Sequence, residues 1–197
     1  MKNLSLAISA VAVIFIMYSC NNTAKQAKNS TSTAGDSMNA YDSATTVHDA
    51  SDTSSNYSTT FAVKAGAEGM MEVELGTIAQ QNAKSARVKG FGAMMVKDHS
   101  KANKELMALA SSKGITIPST MPVEMQNHIN EMKKMKGADF DKHYMSMMTD
   151  DHKEDINLFE KASKNAPDAD LKAFATKTLP VLSTHLDSAK AIKDAID

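Results

Sequence analysis

The placement of helix-breaking residues constrains this chain more than anything else in it. Prolines fall only at 118, 122, 167 and 180, and beyond Gly92 the only glycines are Gly114 and Gly137. Pro and Gly end helices far more readily than they interrupt them, so these breaks delimit four long helical segments. The expected spans are about 58–82, 84–113, 138–164 and 168–195. Between the second and third lies a connector, GITIPSTMPVEMQNHINEMKKMKG, with a short amphipathic piece through Met125, Ile129 and Met132. Asn165-Ala166-Pro167-Asp168 reads as a turn that caps the helix following it.

Each long segment carries one apolar stripe at helical spacing. The first runs through Phe61, Ala67, Met71, Leu75 and Ile78, and the second through Val88, Phe91, Met95, Leu106 and Leu109. The third follows Phe140, Tyr144, Met147, Met148, Leu158 and Phe159, and the fourth Leu171, Phe174, Thr178, Leu182 and Ile192. Four helices with one stripe each bury those stripes against one another, so the expected fold is an all-α four-helix bundle with a short extra helix in the long connector.

Polar residues interrupt the stripes at one depth. Asp151 and Asp155 sit near the centre of the third stripe and His185 near the centre of the fourth. Asp98 and His99 flank the second stripe, Glu68 and Glu74 flank the first, and Glu72 lies further round. All fall within about a turn of their helix midpoints, so the bundle brings them to one level.

Several of these residues also carry a resemblance. Glu72-Val73-Glu74-Leu75-Gly76, Met95-Val96-Lys97-Asp98-His99 and Asp151-His152 match it, as do Phe140-Asp141, Tyr144-Met145, Leu158-Phe159-Glu160 and Leu179-Pro180 with His185. From Phe61 to its end the chain resembles the bacterial exported family called domain of unknown function 4142. The resemblance implies a ferritin-like bundle and an envelope setting. It brings no established activity.

Two chemistries fit the cluster. Buried carboxylates are costly unless paired or bound to metal. In a structural network, Asp151 or Asp155 accepts hydrogen bonds from His185 and His99 and fixes the bundle's register. In a metal site, Glu68, Glu72, Glu74, Asp98, His99, Asp151, Asp155 and His185 supply ligands suited to iron, manganese or zinc. The di-iron pattern of ferritins needs Glu-x-x-His on two helices, and neither His99, His152 nor His185 has Glu three residues before it. That disfavours a metal-dependent oxidase or peroxidase, and no other catalytic motif is present. His152 is expected off its stripe centre and solvated, like His128 and His143, and joins the site only if the third helix is rotated slightly. Thirteen of the 15 methionines follow Met17, and thioethers bind copper, although Met also simply fills irregular cores. Pro180, within the fourth helix, is expected to kink it.

The ends of the chain give an address. An apolar run of 14 residues, Leu4–Met17, is short for a membrane span and about right for a signal peptide. It is followed by Tyr18-Ser19-Cys20, which resembles a lipoprotein signal over 1–19 whose lone cysteine is lipidated. Residues 20–57, rich in Ser and Thr, read as a disordered tether, leaving 58–197 as the bundle domain. The expected location is the cell envelope: membrane-bound through Cys20, at the outer membrane and facing the periplasm. A formal net charge of −1 argues against nucleic acid. No protein partner and no oligomeric state follow from the sequence. The overall expectation is an envelope lipoprotein with a non-enzymatic binding or stress-protective bundle; metal storage or buffering is the alternative.

Overall fold

The computed structural model describes residues 50–196. The expected signal segment, Cys20 and most of the expected tether lie outside the described residues. Five helices follow one another: α1 Ala50–Asn82, α2 Ala86–Ser112, α3 Val123–Lys134, α4 Gly137–Asn165 and α5 Ala169–Ile196. Among the described residues there is no β-strand, and no helix is long and apolar enough to cross a membrane. The long helices match the sequence spans closely except at the start of α1, which begins at Ala50 rather than near Ser58. Those earlier residues are poor helix formers, but Tyr57 packs against the core and favours continuing the helix ahead of Ser58.

Neighbouring helices run antiparallel. Three residues join α1 to α2, and α4 turns into α5 at Ala166-Pro167-Asp168. There the Asp168 carboxylate accepts hydrogen bonds from the Asp170 and Leu171 N–H groups at 3.0 and 2.9 Å, the cap expected from sequence. α2 and α4 both start at one end of the bundle, where the Ala83 and Gly137 backbones meet in a bridge. They run the same way, so the connector carries the chain back along the bundle's length, which is the single long crossover of ferritin-like bundles. It leaves α2 through Gly114 at φ 71°, a left-handed residue that lets the Ile115 N–H reach back to the Ala110 carbonyl at 2.9 Å. The α3 stretch then lays Ile129 and Met132 against the core.

α1 and α2 approach very closely at one point. A Cβ added to Gly92 would lie 2.7 Å from the Gly76 carbonyl oxygen, and one added to Gly76 would lie 2.6 Å from that of Gly92. The apolar core falls into two clusters. One gathers Leu75, Phe91, Met95, Met132, Tyr144 and Met148 at the α1–α2 turn. The other gathers Phe61, Leu106, Phe159, Leu171, Phe174 and Leu182 at the opposite end, with Phe61 and Phe159 edge to face at 5.2 Å. The polar cluster lies between them. Pro180 sits inside α5 without ending it. Its exposed position keeps the ring off the core, so the cost falls on one hydrogen bond at the solvent side.

The start of α2 is capped from another helix. Asp141, nearly buried on α4, accepts the N–H of Lys84 at 2.9 Å and of Ser85 at 2.8 Å. Ser85, the local cap residue, makes no side-chain cap hydrogen bond. Asp141 thereby ties the α1–α2 turn to the first turn of α4. Asp141→Ala is expected to cost about 2 kcal/mol, since it strands two donors and removes a cap, and to lower Tm by about 4–8 °C. Thermal melts followed by circular dichroism check this, and an unchanged Tm would show the cap to be dispensable.

Candidate metal centre

Four helices each bring buried polar side chains to the layer between the two apolar clusters. α1 supplies Glu72, α2 His99, α4 His152 and Asp155, and α5 His185. Each lies in line with its helix's apolar stripe. On α4 the run is Phe140, Tyr144, Met148, His152, Asp155, Phe159, all buried and three or four residues apart. On α1 it is Phe61, Ala65, Glu72, Leu75 and Ala79.

These positions correct the sequence reading in four places. His152, expected in solvent, is fully buried. Glu72, expected round the side of α1, is its central polar residue. Glu74 lies outside the cluster, paired at the surface with Lys133 at 2.6 Å. His99 and His185 do not bond to Asp151 or Asp155: His99 Nδ1 donates to Glu72 at 2.7 Å and His185 Nε2 to Asp98 at 3.1 Å. Asp155 and His185 lie in the layer as expected. Asp98, Glu68 and Asp151 line its edges, part-exposed.

The acceptors fix the imidazole tautomers. His152 Nδ1 lies 2.9 Å from the Met148 carbonyl, which can only accept, so that nitrogen carries hydrogen. His185 spends its Nε2 hydrogen on Asp98. What remains is His152 Nε2 facing His185 Nδ1 at 3.3 Å, two lone pairs pointing at each other when both rings are neutral. Their surroundings keep them neutral. Burial pulls His152 below the usual histidine range, and burial with the nearby histidines takes His185 down to about 4. His99 Nε2 is buried with no hydrogen-bond partner. One ring nitrogen from each of the three histidines lies within 4.8 Å of the others. A cavity of about 30 Å³, room for a water molecule or an ion, is lined by His99, His185, Glu72, Asp98 and Asp155.

The charges divide unevenly. Burial alone pushes the Glu72 carboxyl up, but His99, His152 and His185 outweigh it and hold it below the usual range. Burial alone lowers His99, and Glu72 with Asp98 reverses this, so His99 takes a proton more readily than a free histidine. Across α1 the balance is opposite. Burial raises Glu68, Asp151 and Asp155, with Asp151 pushed up to about 7. Asp155 keeps its proton well above the ordinary range and shares a hydrogen bond with Glu68.

The fold and this layer define a class: a helical-bundle domain with a central histidine–carboxylate layer. The chain belongs to the family described as domain of unknown function DUF4142, whose model matches residues 43–192. Among solved structures, it is similar to the crystal structure of a DUF305 protein from Streptomyces coelicolor, named for its inferred secretion. The match has a TM-score of 0.59 at 10% identity and covers 69% of this chain and 91% of that one. That likeness is one of fold alone. No curated protein matches the chain.

A carboxyl that ionises near pH 7 folded and near 4 unfolded binds its proton more tightly in the folded chain. Its stabilising contribution is therefore present below pH 4 and is lost as the pH rises towards 7. In chelator-treated protein, Asp151→Asn is expected to be more stable than the parent by about 1–2 kcal/mol at pH 8, allowing for solvent screening at a half-buried group, and no different near pH 4. Paired urea titrations at the two pH values read the difference. A variant less stable at pH 8 would contradict it.

Proposed function

We propose that this domain is a metal-binding module of the cell envelope, holding one divalent transition ion on His99, His152 and His185. The observation that carries the reading is the pair of imidazole nitrogens, His152 Nε2 and His185 Nδ1, whose lone pairs converge at 3.3 Å. Two such lone pairs repel unless a proton or a cation lies between them. Low proton affinity at both rings favours the cation. The outer nitrogens support the same reading. Each histidine bonds through its other nitrogen to a carboxylate or a backbone carbonyl, the arrangement that orients imidazole ligands at metal centres.

Three imidazoles suit zinc, copper or iron better than manganese. The unpartnered His99 Nε2 is the third donor, and its proton must leave when metal binds, so affinity rises with pH. The function is sequestration or buffering of such an ion rather than catalysis. The N-terminal apolar run and Cys20 support attachment of the module, through a lipid on that cysteine, to the periplasmic face of the outer membrane. The inferred secretion of the Streptomyces coelicolor DUF305 protein is in keeping with export.

The test is zinc titration of the chelator-stripped chain by calorimetry and thermal melts. The expected result is tight binding with proton release and, at a hundredfold excess over Kd, about 3 kcal/mol of stabilisation. His152→Ala and His185→Ala should abolish binding. Asp98→Asn should weaken it roughly ten- to a hundredfold through the His185 ring. Cobalt in place of zinc should show the visible bands of a nitrogen-ligated ion. Absence of binding and of any melting shift for zinc, copper and iron would leave a hydrogen-bonded structural layer and sink the proposal. Separately, Cys20→Ala is expected to move the protein from the membrane fraction to the soluble one; retention in the membrane would refute the lipid anchor.

A further inference from the structure

Beside Glu72 lies a second cavity, about 100 Å³, lined from α1, α3 and α4. Its polar lining is entirely carboxylate: Glu68, Glu72, Asp151, Glu154 and Asp155, with Met71 and Met125 completing the wall. Buried oxygens of three of these acids have no hydrogen-bond partner: Glu68 Oε2, Glu72 Oε1 and Asp151 Oδ2. Glu72 is the decisive one. It is 1% exposed, and while its Oε2 holds His99, its Oε1 is left bare although it is buried and charged. A buried carboxylate oxygen without a donor is among the costliest groups a fold can carry.

His99 answers the Glu72 charge from the imidazole side, but within this cavity the compensating charge is slight. Lys64 lies 3.6 Å from Glu68 on the solvent side, where its side chain is half exposed. His152 Nδ1 lies 3.4 Å from Glu72 Oε1, but its hydrogen is already committed to the Met148 carbonyl. We propose that this cavity is a second cation site, for an oxygen-favouring divalent ion such as manganese, held by Glu68, Glu72, Asp151 and Asp155. Glu72 then joins the two sites. One oxygen steadies the His99 ligand of the first ion, and the other ligates the second.

The two sites differ in chemistry. The imidazole site offers borderline-soft nitrogen, and the carboxylate site offers hard oxygen in a number and flexibility that suit manganese, calcium or magnesium. The second site borders a wider groove. Met71, Met125 and Asp151 are shared with that groove, which lies between α3 and α4 and carries Glu124, Asp150, His128 and His143 on its walls. A cation in the groove meets acids there too.

This inference goes beyond the single-ion proposal and stands or falls separately, although joint occupancy rests on it. The chelator-stripped chain is charged with one equivalent of Zn²⁺ and titrated with Mn²⁺, bound Mn²⁺ being read by electron paramagnetic resonance. The expected result is one further equivalent of Mn²⁺. The pair Glu68→Gln and Asp151→Asn should weaken Mn²⁺ binding more than tenfold while zinc stays bound and the fold, by circular dichroism, is unchanged. His185→Ala should do the reverse, losing zinc and keeping Mn²⁺. Zinc binding with no Mn²⁺ uptake, or Mn²⁺ uptake indifferent to the carboxylate pair, overturns the second site alone. Mn²⁺ uptake that depends on the pair in a chain that takes no zinc overturns the imidazole site and leaves this one standing.

Discussion

The hydrogen bond between His99 and Glu72 is the interaction on which the middle of this bundle depends. Glu72 lies on α1 between the two apolar clusters, and a carboxylate there costs several kcal/mol unless something answers its charge. His99 answers it at 2.7 Å, and the His152 and His185 rings then gather around the pair, each contacting the others edge-on or tilted at 5.2–5.7 Å. Remove the imidazole and the acid is stranded. Remove the acid and His99 loses the group that orients it.

That dependence also sets the alignment of the helices. Apolar contacts are non-directional and carry little register information, whereas the hydrogen-bonded layer fits one register only. A one-turn slip of α4 would put Met148 or Ile156 opposite Glu72 and drive His152 among aliphatic neighbours. Buried polar groups that match only one partner thus select one register at some cost in stability. The close contact of Gly76 and Gly92, one turn above Glu72 on α1, limits sliding of α2 in the same way.

Much of this was legible in the sequence because helix periodicity is local. The helix spans, the short α3 and the central place of His185 all follow from spacing along one segment, whereas the order in which the helices pack does not. The phase of α1 and α4 was harder to read, since both have acids on two adjacent faces. Glu68 and Glu72 lie only about 40° apart round α1, and Asp151, His152 and Asp155 share an arc of about 100° on α4, so a small error in phase exchanges one for another. The four-residue steps from Tyr144 through Met148 to His152 carry the signal that finds the buried ring, but Met147 and Asp151 repeat the same step one residue earlier. Glu74 resolves only through Lys133, 59 residues away. Asp141 is still less visible. Its value lies in two backbone donors 57 and 56 residues back, which no pattern within α4 reveals.

The two apolar clusters also differ in kind. Met71, Met95, Met132, Met145 and Met148 are all in the cluster beside the α1–α2 turn, with Met94, Met121, Met125, Met135 and Met147 packed round it. The opposite cluster, built on Phe61, Phe159 and Phe174, contains no methionine. Thioethers oxidise to polar sulfoxides, whereas phenyl and aliphatic groups resist. The partly exposed outer ring covers the five buried methionines, so the thioethers of the packed core are gathered at one end of the bundle and the oxidation-resistant rings at the other.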